Sequence, residues 1–393
     1  MRVLLVHNRY LLRGGEQQAV EAEAAMLAGR GVEVEVLEES NERIAALGPL
    51  RSAGRTVWSA EAGRRVSSAL AAGRHDLVHV HNFFPLLSPA VHHAAHRLRV
   101  PVVQTLHNYR LFCLNPTPYR RGSVCTDCLG RLPLAGVRHA CYRDSRTASA
   151  AVAAMLAVHR ALGTWRRCVT SFVCLSRFSR DVLARAGLPG DRLEVKPGCV
   201  TPDPGAKERA GSGAVFAGRL TAAKGVRTLL EAWRRVGAAV PLTVIGAGVL
   251  EGEAAAAARE VPGLRWLGAR DHREVLDAMR AAAFAVVPAE SFENSPTVVA
   301  EAFATGTPVL ASALGSVGEV VRDGVTGTHF PAGDAEALAR EALELAARPG
   351  AIEAMGRAAR ARFEEIFAAD ANSSLLLAIY GRALERAGRR AAG

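Results

Sequence analysis

An α/β protein made of two doubly wound parallel halves is what this sequence predicts, on three observations. The chain has 393 residues, more than one hydrophobic core usually serves and enough for two domains of about 150–200 residues each. Short apolar runs alternate with helical patterns along both halves, the mark of βα units whose right-handed crossovers make a sheet parallel. One stretch rich in Pro and Gly, residues 194–213, separates two such series. The expected organisation is 1–200, 201–370 and a closing helical segment 371–393.

The first half opens on residues 2–7 (RVLLVH), a strand, followed by a loop at 8–15 (NRYLLRGG) and a helix from 16 to about 30. Residues 32–37 (VEVEVL) alternate apolar and charged side chains, so they form a strand with one exposed face. Gly14 and Gly15 sit just before the helix, where glycine either lets a ligand approach the backbone or makes a left-handed turn. The spacing is not GxGxxG, so a dinucleotide fingerprint is absent. Residues 76–81 and 101–107 are the next two strands, and both end in histidine, His81 and His107. Ligands of open parallel sheets collect at such carboxyl ends.

Residues 108–145 interrupt the pattern with a long irregular stretch holding Cys113, Cys125, Cys128 and Cys141, spaced C-x11-C-x2-C-x12-C. Three readings stand side by side: a structural zinc held by four thiolates, free thiols, and a redox pair. Residues 147–167 then form an Ala-rich helix ending in Trp165, Arg166 and Arg167. That ending suits docking on acidic lipid, and equally a helix packed on the sheet with cations at its negative dipole end. Residues 172–176 (FVCLS) are a further strand.

In the second half, strand 214–217 (AVFA) leads to Gly218, Arg219 and Leu220, then Lys224-Gly225 and a helix over 226–236. Two cations five residues apart, past a strand end and beside a glycine, make a clamp for a diphosphate. Strand 242–245 ends in Gly246-Ala247-Gly248, and 265–268 is followed by Arg270. The centre of the half is the run 281–308. An apolar strand there feeds a polar turn, and Ser295-Pro296 starts a helix, Ser as N-cap and Pro at the first helical position. Residues 297–305 are that helix, stopped by Gly306. Its N-terminal N–H groups and positive dipole end suit a phosphate. Glu293 and Glu301 flank it, and two acids beside an anion site imply something else to hold, such as hydroxyls. Diphosphate and hydroxyls together describe a nucleotide sugar. Residues 308–311, 315–319 and 324–330 complete the same wall, and helices fill the rest.

Glu293-x7-Glu301, the AFATGTPV that follows and the upstream GRL…KG together resemble the retaining GT-B glycosyltransferases of family 4, the glycosyl transferases group 1. The resemblance covers nearly the whole chain. It implies two Rossmann-like domains facing each other across a cleft, the last helix crossing back to the first domain. It implies transfer of a sugar, with retention, from a UDP- or GDP-linked donor to an acceptor hydroxyl. Arg219 and Lys224 then hold the donor diphosphate, with Gly14 and Gly15 beside it and the N–H groups of Thr297 and Val298 at the helix start after Ser295. Glu301 binds ribose and Glu293 the transferred sugar. Gly218, Gly246 and Arg270 belong to the nucleotide side, the base being held largely by backbone. Thr105-Leu106-His107 matches the family's T-x-H strand end, which puts His107 on a sugar hydroxyl, with His81 behind it. The turn at Ser176–Ser179 opens a helix near the cleft. Two departures stand out: Pro296 offers no N–H where many relatives carry Gly, and the cysteine stretch is extra. The family requires no metal and no DxD carboxylate pair occurs, so catalysis is expected to need no cofactor, with zinc confined to structure.

The charge is uneven. Residues 1–200 carry 27 Lys+Arg against 15 Asp+Glu, the remainder 22 against 23. A basic first half suits nucleic acid, anionic lipid or a phosphorylated substrate. With no nucleic-acid module in the sequence, an anionic membrane surface or a lipid-linked or carbohydrate acceptor is the better match, as in cell-surface polysaccharide or glycolipid assembly. Only three lysines, Lys196, Lys207 and Lys224, occur among 46 arginines, which hints at work a planar guanidinium does poorly. A strand that begins at Arg2 and the lack of a long uncharged apolar run lead to the expectation of a cytoplasmic protein, at most peripheral on the inner face of the membrane. Three competitors are weaker. A nucleotide-sugar epimerase on the same frame needs no basic acceptor half, and a two-lobed solute-binding protein predicts a leader and no diphosphate clamp. A non-catalytic partner subunit predicts loss of Arg219, Lys224, Glu293 or Glu301.

Overall fold

A computed structural model of the chain describes residues 1–11 and 14–392. It divides into two compact units: Met1–Pro118, Thr126–Pro197 and Asn372–Gly393 form one, Tyr119–Cys125 and Gly198–Ala371 the other.

The first unit is built on a six-stranded sheet. Its strands are β1 (Arg2–Arg9), β2 (Glu33–Ser40), β3 (Leu77–Asn82) and β4 (Val102–Leu106). After an antiparallel hairpin of β5 (Tyr119–Arg120) and β6 (Ser123–Val124), which belongs to the second unit, come β7 (Ser171–Cys174) and β8 (Leu193–Val195). The order is β2-β1-β3-β4-β7-β8, every neighbour parallel. All residues of β3, β4 and β7 are buried, as expected of central strands covered on both faces, whereas β2 at the edge keeps its exposed charges. Strand β1 runs two residues past the expected end, because Asn8 and Arg9 continue pairing with Glu39 and Ser40.

Several features of this unit escaped the sequence. Helices at Arg43–Val57, Ala60–Gly73 and Ala90–Arg97 were not anticipated; the first is broken by Gly48 and Pro49, which obscures its period. The Ala-rich helix expected over 147–167 is two helices, Arg146–Ala161 and Thr164–Arg167, because Gly163 at φ 65° turns the chain between them. Trp165 consequently points inward. It is 8% exposed and packs on Phe83 and His92, with ring centroids 5.8 and 5.6 Å away, so it does not present an aromatic face to lipid. Ser176 caps the helix Arg177–Arg185 in a reciprocal box with Ser179.

The second unit carries β9 (Ala214–Ala217), β10 (Leu242–Ile245), β11 (Leu264–Trp266), β12 (Phe284–Val287), β13 (Val309–Ser312) and β14 (Gly327–Phe330). Their order, β11-β10-β9-β12-β13-β14, is the doubly wound dinucleotide-type arrangement, again all parallel. One face is filled by Leu229, Trp233, Leu242, Phe330 and Leu338, the other by Met279, Val299, Phe303 and Phe363. Trp233 is fully buried and still satisfies its indole N–H, which donates to the Val240 carbonyl at 2.8 Å. Residues 315–319 of the expected wall lie in a short helix, Gly315–Val320. Among the described residues, no helix is long and apolar enough to cross a membrane.

Candidate functional site

In the second unit the strand order reverses between β9 and β12, and a doubly wound sheet binds its ligand at the carboxyl ends there. Two loops leave from that point. The loop after β9 is tied down by backbone bonds, Gly218 N–H to Ile245 O and Leu220 N–H to Ala247 O. Gly246 lies against it so closely that an added Cβ would fall 1.9 Å from the Gly218 carbonyl oxygen. The loop then turns through a 3-10 segment at Ala222–Lys224 to Gly225, in the left-handed region at φ 71°. A Cβ on Gly225 would lie 1.7 Å from the Pro288 carbonyl oxygen, so only glycine allows this turn to seat on the end of β12.

The loop after β12 is pinned to the same turn. Glu290 N–H and the Ser291 hydroxyl both donate to the Ala223 carbonyl, at 3.0 and 3.2 Å. The Glu290 carboxylate accepts from the Thr228 hydroxyl at 2.6 Å. This seating delivers Glu293 to Lys224: Nζ to Oε2 is 2.9 Å, with the side chains 26% and 15% exposed. Arg219 is exposed at the same strand end.

Helix Thr297–Ala304 begins one residue later than the capping argument placed it. Pro296 is the cap, at φ −76° and ψ 74°, and Ser295 makes no side-chain cap. The cause is a tight turn in which Thr297 N–H donates to the Ser295 carbonyl at 2.8 Å, leaving the Pro296 carbonyl to start the helix by accepting from Val299. Of the two N–H groups expected to serve a phosphate, the one on Thr297 is therefore engaged within the chain, and Val298 carries the other. Glu301, on this helix, accepts from His272, Nε2 to Oε1 3.0 Å. That hydrogen bond raises the His272 pKa. His272 was not anticipated; its one signal in the sequence is its place just after Asp271, which caps the helix His272–Ala281. Arg270 reaches Glu274 at 3.6 Å across a largely exposed pair.

In the first unit the corresponding ends of β1, β3 and β4 gather histidines. His81 Nδ1 is 3.0 Å from His107 Nε2. Beneath them lies Glu23, on the helix Gly15–Gly29, buried although its neighbours Glu21 and Ala22 suggest a surface turn. Its Oε1 is 3.1 Å from His79 Nδ1 and 3.2 Å from His81 Nε2, and its Oε2 is 3.0 Å from Lys196 Nζ. Lys196 also donates to Asn372 at 2.8 Å, and His79 meets Tyr380 and Thr105 at 2.7 and 2.8 Å. Burial alone would raise Glu23, but Lys196, His81 and His79 outweigh it and hold the carboxyl well below its usual range. Burial, then the neighbouring His79, lowers His81 to about 4; burial, then His81, takes His107 well below the usual imidazole value. Both rings are neutral near pH 7.

Gly14 is the cap of this helix in an extended conformation, φ −141°, so no left-handed turn requires glycine there. A Cβ on it would meet nothing within 4 Å, so no close approach requires glycine there either. Leu12 and Arg13 of the same loop lie outside the described residues. Glu16, one residue past Gly15, was not anticipated: burial, opposed by Arg110, Asn82 and Asn108, pushes its carboxyl up to about 8.

Among the described residues, one set of three or more metal-capable side chains has its ligand atoms within 4.8 Å of one another, and it is Glu23, His79 and His81. Cys113, Cys125, Cys128 and Cys141 form no disulfide. The Glu23 set is itself no metal cage, since the Lys196 ammonium already neutralises the carboxylate and His79 is engaged on both ring nitrogens.

Two family models match the chain in succession, Glycosyltransferase Family 4 over residues 13–203 and Glycosyl transferases group 1 over residues 211–348. The chain is 33% identical to the glycogen synthase of Mycobacterium tuberculosis over 159 residues, 39% of this chain and 38% of that protein. It is 41% identical to the D-inositol 3-phosphate glycosyltransferase of Streptomyces griseus over 115 residues, 29% of this chain and 24% of that protein. It thus spans less than two fifths of the length of these curated relatives. A solved structure of Anabaena HepE in complex with UDP superposes with a TM-score of 0.66 at 17% identity, covering 96% of this chain and 99% of that one. With both halves matched and the fold shared from end to end, the chain belongs to the family 4, group 1 glycosyltransferases and has the two Rossmann-like domains of the GT-B fold.

Proposed function

We propose that this protein transfers a sugar from a nucleotide diphosphate sugar to an acceptor hydroxyl with retention of anomeric configuration. The observation that carries the reading is the Lys224–Glu293 pair, assembled by Gly225 at the switch point of the second sheet. Partly exposed, with Nζ and Oε2 2.9 Å apart, such a pair is worth about 1 kcal/mol and yields readily to a diphosphate that offers the ammonium more. Lys224, Arg219 and the Val298 N–H neutralise the leaving diphosphate, with Gly218 and Gly246 shaping the loop beside it. Electrostatic stabilisation of this kind is usually the largest catalytic contribution. Once Lys224 turns to phosphate, the Glu293 carboxylate is released to accept hydroxyls of the transferred sugar. Glu301 exchanges His272 for ribose, and Arg270 and Ser295 belong to the nucleotide side.

In the first unit, His107 receives a sugar hydroxyl as a neutral acceptor, and Gly14 and Gly15, at the start of the helix Gly15–Gly29, lie beside the donor phosphates. The UDP held by HepE makes a UDP-sugar the first donor to try. The basic residues of the first half fit a lipid-linked or polyanionic carbohydrate acceptor at a membrane surface, in cell-surface polysaccharide or glycolipid assembly.

Ligands that bind only the native state raise its melting temperature, so a thermal-shift panel of UDP- and GDP-sugars tests the reading. One donor should stabilise the protein, and Lys224→Ala and Glu301→Ala should each abolish that shift. Unchanged shifts in both variants would remove the site assignment.

A further inference from the structure

The buried cluster beneath His107 is more elaborate than packing a helix onto a sheet requires. Five ionisable side chains from separate parts of the first unit meet there: Glu23, His79, His81, Lys196 and Tyr380. It reaches the proposed sugar site through one contact, His81 Nδ1 to His107 Nε2 at 3.0 Å.

A hydrogen bond between two neutral imidazoles needs one proton, and the question is which ring supplies it. Glu23 answers it. Its Oε1 lies 3.2 Å from His81 Nε2, an ion-pair distance without an aligned hydrogen bond. A bare Nε2 would set a nitrogen lone pair against a buried carboxylate, whereas a protonated one sets a positive edge against it. His81 therefore carries its proton on Nε2, and its Nδ1 is the acceptor. His107 must then donate from Nε2, which leaves Nδ1 of His107 bare. Lys196, 3.0 Å from Oε2, keeps Glu23 ionised, and Tyr380 and Thr105 fix the ring of His79 beside it.

We infer that Glu23, acting through His81, sets the tautomer of His107 and presents its Nδ1 as a hydrogen-bond acceptor for a hydroxyl of the transferred sugar. This rests on the transferase reading above. Glu23 and His81 are positioning residues, since neither touches substrate. The charged and titratable groups facing His107 are His81, Glu23, His7 and His79, with Lys196 behind Glu23. Burial and His81 oppose protonation of the ring, and His7, itself lowered to about 4, adds no charge near neutrality. The device supplies a fixed acceptor and no general acid.

The test is the ¹⁵N spectrum of histidine-labelled full-length protein, with the His107 ring assigned by its disappearance in His107→Ala. The expected result is a protonated Nε2 and a bare Nδ1, unchanged from pH 5.5 to 8. A proton on Nδ1, or a ring that titrates to imidazolium in that interval, overturns the inference. Because no substrate is present, this outcome is separate from the reaction: unchanged transfer by His107→Ala would remove the sugar contact and leave the tautomer standing. A second pair of variants reads the same arrangement through turnover. His81→Asn keeps an acceptor where Nδ1 stood and should hold kcat within about threefold. His81→Gln faces Glu23 and offers His107 nothing. It should lower kcat about 10- to 100-fold with little change in KM, the usual scale for losing an outer-shell partner. Equal kcat values for the two variants overturn the inference.

Discussion

The carboxyl ends of the two sheets handle charge in opposite ways. In the first unit Glu23 and Lys196 are sealed among His79, His81 and Tyr380, and every member is 6% exposed or less. In the second unit Lys224–Glu293 and His272–Glu301 join side chains that are partly exposed, 26% and 15% in one pair and 45% and 13% in the other. A buried pair is expensive to break, because removing one partner strands the other charge in a medium that cannot solvate it. A surface pair is cheap to break and therefore suited to exchanging its partner for a ligand. The lesson is a division of labour: one sheet end holds a geometry, the other trades contacts.

The largest expected effect breaks the sealed side. Glu23→Ala should destabilise the protein by about 3–5 kcal/mol, measured by urea unfolding, because it leaves Lys196 charged and buried. Glu293→Ala, in contrast, should cost about 1 kcal/mol while removing donor binding. If the two losses are equal, the contrast between the units is wrong.

A second prediction uses two carboxyls of one helix with opposite shifts. The Glu16 carboxyl is raised in the folded state to about 8, so between its ordinary value near 4.5 and 8 the unfolded chain is ionised and the folded one protonated. That difference lowers stability as pH rises through the window. Glu16→Gln should raise the melting temperature at pH 8 and have progressively less effect towards pH 4.5. Glu23 runs the other way: its stabilisation is complete above its ordinary value and is lost as pH falls through the depressed one. A Glu16→Gln effect independent of pH would place that carboxyl in water.

The smallest effect concerns His272. Its raised pKa means the pair with Glu301 is fully formed below about 6.5 and fades as pH rises through the folded value. His272→Ala should tighten nucleotide binding a few-fold at pH 6 and very little at pH 8, as measured by titration calorimetry. Weaker binding at pH 6 would show that His272 contacts the nucleotide.

The local grammar of the second unit was legible. Strands Ala214–Ala217 and Leu242–Ile245 and helix Val226–Val236 follow from apolar period and punctuating glycines, which act over a few residues. Lys224 and Glu293 could be nominated together because each sits in a strand-end loop of recognisable type. Their contact required Gly225 to pass under the Pro288 carbonyl, which no local pattern states. The start of the central helix was misjudged by one residue for a related reason. Ser295-Pro296 is a good cap in isolation, yet the turn at Thr297 takes the Ser295 carbonyl first.

By itself, then, the sequence determined the two series of βα units and the chemical types at their strand ends, since both depend on near neighbours. Tertiary structure alone decided what Glu23 is. Glu23, on the helix Gly15–Gly29, meets Lys196, and Tyr380, on the helix Ala369–Ala392, meets His79 of β3 301 positions away, because helices that cover a sheet bury side chains against it whatever length of chain lies between.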